Sequence, residues 1–435
     1  MIYLQQHKDM VIEAMQSYEE LPQERNELYK RHYISIPFDL KVFEKNTPMD
    51  ETSFKRHVDE LAGKLEIKFD VVLGSDGFFA NQSEFVRVDT PENANSVLER
   101  QMHASGEDKY VAYINAKSDK ITIIDVPDGK SAKINMLVLN SNRPLTAKVF
   151  VNLGKESKLE LFEYHGSASN EQTCSAVIHE IRSGESSNME LNVLYNENEK
   201  TISIASCKGR AGKGSHIGFN SVYIGASQTR VRNTVEADGN EGRLELNEII
   251  FGSASQKFDI ETKIINAAPH TNASLESKAA LMGSSFCILK GFAKINKGAE
   301  KAKSYVHERG ILLDKNARIE GLPDMSVDES DVKATHSSAT SPIDPESVFY
   351  LMSKGIGESG VKKLMVTGFF ANNLAKIRNN LMKVLSMSLI NSKLENGAYG
   401  MIPKIDIRNI WIGTSDSTET DMFQGHYKYR GTQDG

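Results

Sequence analysis

From Tyr110 to about Asn296 the chain is written in short runs of alternating apolar and polar residues: YVAYINA, KITIIDV, KINMLVLN, AKVFVNL, KLELFEY, AVIHEI, MELNVLY, TISIAS, FNSVYIG, TRVRNTVEA, RLELNEIIFG, FDIETKIINA, SLESKAAL and FCILKGFAKIN. Period-two alternation bounded by Gly, Ser, Asn and Asp is the pattern of strands and turns. No helical stripe separates these runs, which excludes a doubly wound sheet, whose parallel strands need crossover helices.

The runs also recur. Gly154-Lys-Glu-Ser-Lys-Leu-Glu-Leu, Gly184-Glu-Ser-Ser-Asn-Met-Glu-Leu, Gly212-Lys-Gly-Ser-His-Ile-Gly-Phe and Gly239-Asn-Glu-Gly-Arg-Leu-Glu-Leu each set a tight polar turn before a strand. They follow one another at about 30 residues, a length typical of stacked repeats. One such unit cannot bury an apolar core alone, whereas stacked coils bury continuous rows of side chains. The reading is a mainly β chain built as a β-helix (solenoid), with an irregular sandwich as the alternative.

A chain of 435 residues exceeds the usual size of one compact core, so two or three structural units are expected. Met10, Val11, Met15, Tyr18, Leu21 and Leu28 have helical spacing broken at Pro22, which predicts two short helices. A helix over Phe54–Leu65 and a strand over Ile67–Leu73, ending at Gly74, complete a mixed N-terminal region, 1–105. The β core spans 106–340. Asp344-Pro345-Glu346 then starts a helical region, 341–402, because Asp caps free amides and Pro suits the first helical position. In it Val348, Phe349, Leu351 and Met352 fit a short helix ended by Gly355; Val361, Leu364, Met365, Phe369, Phe370, Leu374 and Ile377 form the stripe of a second helix, and Leu381 to Leu389 continue into a third. A polar tail, 403–435, holds the strand-like IDIRNIWI and the chain's one tryptophan, Trp411.

With 52 basic and 58 acidic residues the net charge is -6, which argues against nucleic acid as a partner. No apolar run approaches a membrane span, and MIYLQQHKDMVIEAM lacks the apolar core of a secretion signal. Cys174, Cys207 and Cys287 lie far apart, without zinc spacing. The expectation is a reduced, soluble, cytoplasmic protein.

Candidate chemistry is sparse. Lys208-Gly-Arg-Ala-Gly-Lys-Gly-Ser-His216 resembles a phosphate loop but puts Gly214 after Lys213 and a strand after His216, so it reads as a polar turn. Carboxylate pairs such as Glu245 with Glu248 or Asp324 with Asp328 would suit a β-helical carbohydrate-active enzyme, the alternative function, yet solvated turn charges account for them, and one tryptophan is thin equipment for sugar stacking. Cys287 reads as a buried, inert thiol. No local Ser/His/Asp or Cys/His pattern stands out, although such a group can be assembled in space. His336 sits among small residues, Ala334, Thr335, Ser337, Ser338 and Ala339, which leave room for a ligand or another chain. His307 precedes it by about one repeat, so the two can be neighbours if the coils stack in register.

The segment from Ala280 to Phe370 closely resembles the SufB/SufD family of iron-sulfur cluster assembly proteins. The residues that carry this are Lys297-Gly-Ala, Leu312-Leu-Asp followed by Ala317-Arg, Pro323 before an acidic strand, Asp331-Val-Lys with His336, and Ile343-Asp344 leading to Phe349-Tyr350-Leu351 and Gly355. Leu21-Pro-Gln-Glu-Arg-Asn-Glu-Leu-Tyr resembles the N-terminal motif of SufD-type members. The resemblance implies a right-handed parallel β-helix between helical regions. It also implies a non-catalytic scaffold subunit that pairs with a SufB-type paralogue or a second copy of itself, while its helices dock a SufC-type ATPase that hydrolyses the ATP. His336 then matches the cluster-assembly histidine of the pairing surface, a candidate metal donor, with His307 the weaker one. Leu364, Phe369 and Phe370 match the ATPase-docking region. The cysteines of SufB-type members are missing between Tyr305 and Asp324, and Ala334-Thr335-His336 replaces the Cys-Ser-His of SufD-type members. The chain therefore looks SufD-like and is expected to bind no cofactor alone, an iron-sulfur cluster being held only transiently at a shared interface.

Overall fold

The structure, a computed structural model, describes residues 2–26, 29–80, 84–91, 93–397, 399–400 and 402. Leu28 and the 403–435 tail with Trp411 lie outside the described residues.

Among the described residues the strands form two ten-stranded sheets. The first runs, neighbour by neighbour, Phe78–Ala80, Val71–Gly74, Ser131–Asn140, Lys158–Ser167, Asn188–Tyr195, His216–Tyr223, Arg243–Gly252, Asn272–Leu281, Lys303–Leu312 and Lys333–Pro342. The second runs Val86–Asp89, Ile121–Val126, Leu145–Leu153, Thr173–Ser183, Thr201–Ala211, Gln228–Ala237, Lys257–Asn266, Phe286–Ile295 and Arg318–Gly321, with Asp324–Val327 also pairing on Phe286–Ile295. Successive long strands alternate between the sheets, so the chain winds into a parallel β-solenoid of about 8 turns, as its alternation and recurrence predict.

The register is regular. Lys158 pairs with Asn188, Asn188 with His216, His216 with Arg243, Arg243 with Asn272, Asn272 with Lys303 and Lys303 with Lys333. The recurrent glycines sit where coils touch. Gly154, Gly184, Gly212 and Gly239 donate their amides to the carbonyls of Val126, Leu153, Ser183 and Ala211 at 2.8, 2.9, 2.9 and 3.1 Å. A Cβ on Gly239 would lie 2.0 Å from the Lys213 nitrogen, so close backbone approach demands glycine there.

Two facing rows show how the core is made. Ala147, Val177, Ala205, Val231, Ile260 and Leu289 stack in the second sheet; Leu161, Leu191, Phe219, Leu246, Leu275 and Val306 stack in the first. Both rows belong to one buried apolar cluster between the sheets.

Seven helices are described: α1 (Ile2–Glu20), α2 (Glu51–Leu65), α3 (Asn95–Leu98), α4 (Lys109–Lys117), α5 (Pro345–Ser353), α6 (Glu358–Lys376) and α7 (Asn380–Asn396). The outer face of the first sheet is covered by α2, α6 and α7, with Val366, Phe370, Leu374, Met382 and Leu385 packed on residues such as Leu194, Val222, Ile249 and Phe251. On the second sheet Tyr18, Leu40, Tyr110 and Tyr113 cover Cys174, Ala176, Ile178, Ile202 and Ile204. Lys393 pins α7: its buried Nζ donates to the carbonyls of Ile224 and Phe251, both at 2.6 Å, and to Gln256 Oε1 at 2.5 Å, one acceptor for each ammonium hydrogen.

One expectation needs correction. YVAYINA is not a strand but α4: the Asp108 side chain caps Tyr110 N at 2.8 Å and Val111 N at 3.2 Å, and Tyr110 to Asn115 are all buried, so no polar face discloses the helical period. Of the two short helices expected around Pro22, the first is α1, which ends at Glu20; the second involves Leu28, outside the described residues, and the 3-10 helix Leu40–Lys45, started by the Asp39 side chain, follows further on.

Gly239→Ala is expected to destabilise the protein by more than about 2 kcal/mol in denaturant unfolding, because the neighbouring coil must move to admit a methyl group. A change below about 0.5 kcal/mol would show that this corner is not tightly stacked.

Candidate functional site at the open end of the solenoid

The first sheet ends at Lys333–Pro342, which pairs along one side with Lys303–Leu312. In that register Val306 faces His336, so His336 continues the inward row that runs from Leu161 to Val306. Period two puts Ser338 and Thr340 on the same face. A Cβ on Gly321 would come within 2.3 Å of Ser338 Oγ, and one on Gly310 within 2.9 Å of Thr340 Oγ1. His336 is exposed, because the core row it extends stops beneath it.

His307 lies on the other face. It is in register with Ser337, whose Oγ is 2.9 Å from its Nδ1, and the Tyr305 hydroxyl is 2.7 Å from the same nitrogen. Partial burial, then Arg309, pushes the His307 pKa below the ordinary value, consistent with a neutral ring whose Nδ1 lone pair accepts from one of the two hydroxyls. His307 and His336 are therefore one register step apart yet on opposite faces, and they do not form one donor set. Among the described residues, no group of three or more His, Cys, Asp or Glu side chains is arranged to hold a metal ion.

One residue escaped the sequence reading. Glu308 has the same parity as Val306, points inward, and is 2 % exposed. Its Oε1 accepts the Gly291 amide at 2.6 Å, while Oε2 has no hydrogen bond of good geometry, although the Ser338 hydroxyl stands beside it. Burial pushes this carboxyl up to about 8. Gly291 and Gly321 make its space: a Cβ at either would lie 2.8 Å from Oε1 or 3.1 Å from Oε2. Parity within the run KSYVHERGIL was the available signal.

The predicted docking residues part company on α6. Phe370 is fully buried against the first sheet; Phe369 is half-buried, with its carbonyl accepting from Lys278 Nζ at 2.9 Å; Leu364 is 52 % exposed. The outward apolar surface continues onto α5, where Phe349 is 75 % and Tyr350 60 % exposed, with Met352 beside them. Asp344 holds that helix by accepting the amides of Glu346 and Ser347, both at 3.1 Å.

The other candidates are structural. Gly212 to Ser215 form the turn between two strands, not a phosphate loop. Glu245 and Glu248 are three apart on one strand and so face opposite ways: Glu245 lies 3.5 Å from His216 Nε2, whereas Glu248 is buried and accepts from Thr262 and Ser277, each at 2.6 Å. That pair spans no cleft, and Glu248 is a core residue, not the solvated charge expected. Cys174, Cys207 and Cys287 are free and buried, and burial pushes the Cys287 thiol well above its ordinary value.

Glu308 makes stability pH-dependent. Above the ordinary carboxyl pKa of about 4.3 the unfolded chain loses a proton that the folded chain keeps until about 8, so stability falls as pH rises through that window. Glu308→Gln is expected to unfold near the wild type at pH 5 and to exceed it by on the order of 2 kcal/mol at pH 8.5. Parallel pH curves for the two proteins in thermal denaturation would refute a neutral buried carboxyl.

Comparison with known proteins matches this sequence to a family. Residues 137–369 match the family profile described as SUF system FeS cluster assembly, SufBD core domain. The iron-sulfur cluster assembly protein SufD of Bacillus subtilis is 24% identical over 220 residues, 50% of this chain and 50% of that protein. SufBD family iron-sulfur cluster assembly proteins of Mycobacterium bovis and Mycobacterium tuberculosis are 26% identical over 176 residues and 27% over 187, covering 40% and 41% of this chain and 21% and 47% of theirs. The chain thus aligns with half or less of each of these relatives. With more than half of its own length matched to the family core, the chain belongs to the SufBD family of iron-sulfur cluster assembly proteins.

Proposed function

We propose that the chain is a scaffold subunit of a SUF-type assembly complex, which pairs through the strand Lys333–Pro342 with a SufB-type paralogue or a second copy and couples through α5 and α6 to a SufC-type ATPase. The observation that carries this reading is the open strand: a core row of the first sheet ends in exposed His336 on an edge that, from Ala334 onward and among the described residues, has no strand paired on its outer side. An unpaired parallel edge is a template for a strand from another chain. Phe349, Tyr350, Met352 and Leu364 give the ATPase an apolar surface beside that edge, joined to it by Ile343 and Asp344. The iron-sulfur cluster is cargo at the shared interface. His336 contributes one donor, and because all three cysteines of this chain are buried, thiolates come from the partner. No described helix is long and apolar enough to cross a membrane.

His336→Ala is expected to change stability by less than about 0.5 kcal/mol, since the side chain is exposed, while cluster formation by the complete complex falls severalfold. A large drop in melting temperature without a specific loss of cluster formation would make His336 structural. Replacing both Phe349 and Leu364 by Ser is expected to weaken capture of the ATPase at least about tenfold, or 1.4 kcal/mol, with the fold retained. Unchanged capture would place the ATPase elsewhere.

A further inference from the structure

The outer face of the second sheet assembles three side chains that the sequence keeps apart. His103 lies between α3 and α4, Glu180 on Thr173–Ser183, and Ser206 on Thr201–Ala211. Glu180 Oε1 accepts from His103 Nδ1 at 3.0 Å and from His103 N at 2.9 Å, and Glu180 Oε2 takes the Met102 amide at 2.6 Å. On the opposite edge of the ring, His103 Nε2 lies 2.9 Å from Ser206 Oγ. Asn115 Nδ2 holds the His103 carbonyl at 3.2 Å. The carboxylate fixes the proton on Nδ1 and leaves the Nε2 lone pair facing a hydroxyl, which is the relation of nucleophile, base and orienting acid in a triad.

Burial favours the neutral imidazole. Burial would raise Glu180 too, but its hydrogen bonds, first among them that from His103, hold it below the ordinary value. In the resting state the Arg232 carbonyl, 2.6 Å from Ser206 Oγ, competes for the hydroxyl hydrogen, so attack requires that hydrogen to turn to His103.

Ser206 and His103 line a cavity of about 460 Å³, a size that suits a small ligand. Its wall is charged and polar, with Val111 its one apolar side chain, so it suits a small polar acyl group and not a fatty chain. Lys208, two residues along the strand on the same face as Ser206, also lines it and adds a cation to its wall, its Nζ being held by the Met102 carbonyl at 2.8 Å and by Glu107.

We infer that Ser206, His103 and Glu180 form a nucleophilic site that hydrolyses a small polar ester or thioester, an activity separate from the scaffold role and from the open end of the solenoid. Ser206 Oγ bonds to the acyl carbon as its proton passes to His103 Nε2. The bond from acyl carbon to the leaving oxygen or sulfur then breaks, and the leaving group takes that proton. Water attacks the acyl-serine, gives its proton to His103, and the carboxylic acid departs as Ser206 Oγ is reprotonated. Glu180 stays ionised and acts by positioning His103.

The test uses the full chain, a fluorophosphonate probe and p-nitrophenyl acetate. Labelling of the folded wild type at Ser206, located by peptide mass spectrometry, is expected, with hydrolysis above the buffer rate. Ser206→Ala should lose both, and Glu180→Gln should lower hydrolysis at least tenfold and alter its pH profile while leaving the melting temperature close to wild type. An unlabelled wild type, a label on another residue, or equal hydrolysis by Ser206→Ala would overturn the inference and leave a structural hydrogen-bond network. The scaffold role is read by ATPase capture and cluster formation, so failure of one assignment does not mask failure of the other.

Discussion

Each coil is held by backbone hydrogen bonds to the coils on either side, and that ladder closes only if every coil returns to the same register. The most demanding positions are the corners. Gly129, Glu156, Ser186, Gly214, Glu241, His270 and Lys301 all have φ between 55° and 67° and stack one above another along the solenoid. Each donates its amide to a carbonyl of the next coil, Glu156 to Glu185 and Ser186 to Lys213, both at 2.8 Å, and so on to Lys301 with Asp331 at 2.6 Å. A residue with a side chain costs about 1 kcal/mol or more in this left-handed conformation, a penalty similar in size to the net value of one hydrogen bond. The corner is thus nearly neutral by itself. What stabilises it is the strand on each side, which forms only when the corner holds its register.

Several of the carboxylates that the solenoid buries are paired with cations or imidazoles. Glu163 bridges the sheets from inside, with His165 Nε2 at 2.5 Å and His179 Nε2 at 2.9 Å. Burial opposes its ionisation, yet the two imidazoles hold it down at about 2. On the outer face Arg232 meets Asp259 at 2.9 Å and Glu24 at 3.1 Å, and Lys290 joins Asp259 at 3.0 Å. Such networks add little net stability over apolar packing, but breaking one partner strands a buried charge. They therefore act on specificity: Glu24 sits in the segment after α1 and meets its cations only when that segment crosses the second sheet in one way.

Most of the fold was legible because short runs of alternating residues between turn residues mark strands. The run KLELFEY could be read as a strand from its letters alone, and the recurrent Gly turns gave the stacking. Parity fails where burial is complete, and α4 was misread for that reason: YVAYINA is apolar on all sides of a helix and shows no period of its own. The site was legible only in part. His336 was picked out by its small neighbours, but its position as the last rung of a core row depends on pairing between strands about 30 residues apart, which fixes the face. The same register separates it from His307, which sequence spacing brings close. Phe370 and Leu364, six positions apart, look alike in one helical stripe, and only the packed structure assigns one inward and the other outward. His103, Glu180 and Ser206 lie 77 and 103 positions from one another through His103, beyond any local motif.

The two ends of the solenoid are finished differently, and the difference bears on the pairing proposed for this chain. At the N-terminal end both sheets close with short antiparallel strands, Phe78–Ala80 and Val86–Asp89, which break the parallel template. At the other end, among the described residues, the first sheet stops at a strand of ten residues in full parallel register, while the second stops at Arg318–Gly321. Native proteins blunt exposed edges with charges, prolines or short strands, because a long edge recruits other chains. The sequence KATHSSATSP keeps its Lys and Pro for the two ends and puts no carboxylate, lysine or arginine between them. Small hydroxyl residues fill the middle, so a facing strand can approach closely, and His336 is the one imidazole there, a better donor to iron than the hydroxyls around it. An edge shaped only to remain free would carry charge at its centre; leaving that centre neutral, flat and small favours aggregation unless a partner covers it, and coverage is what the proposed scaffold role requires.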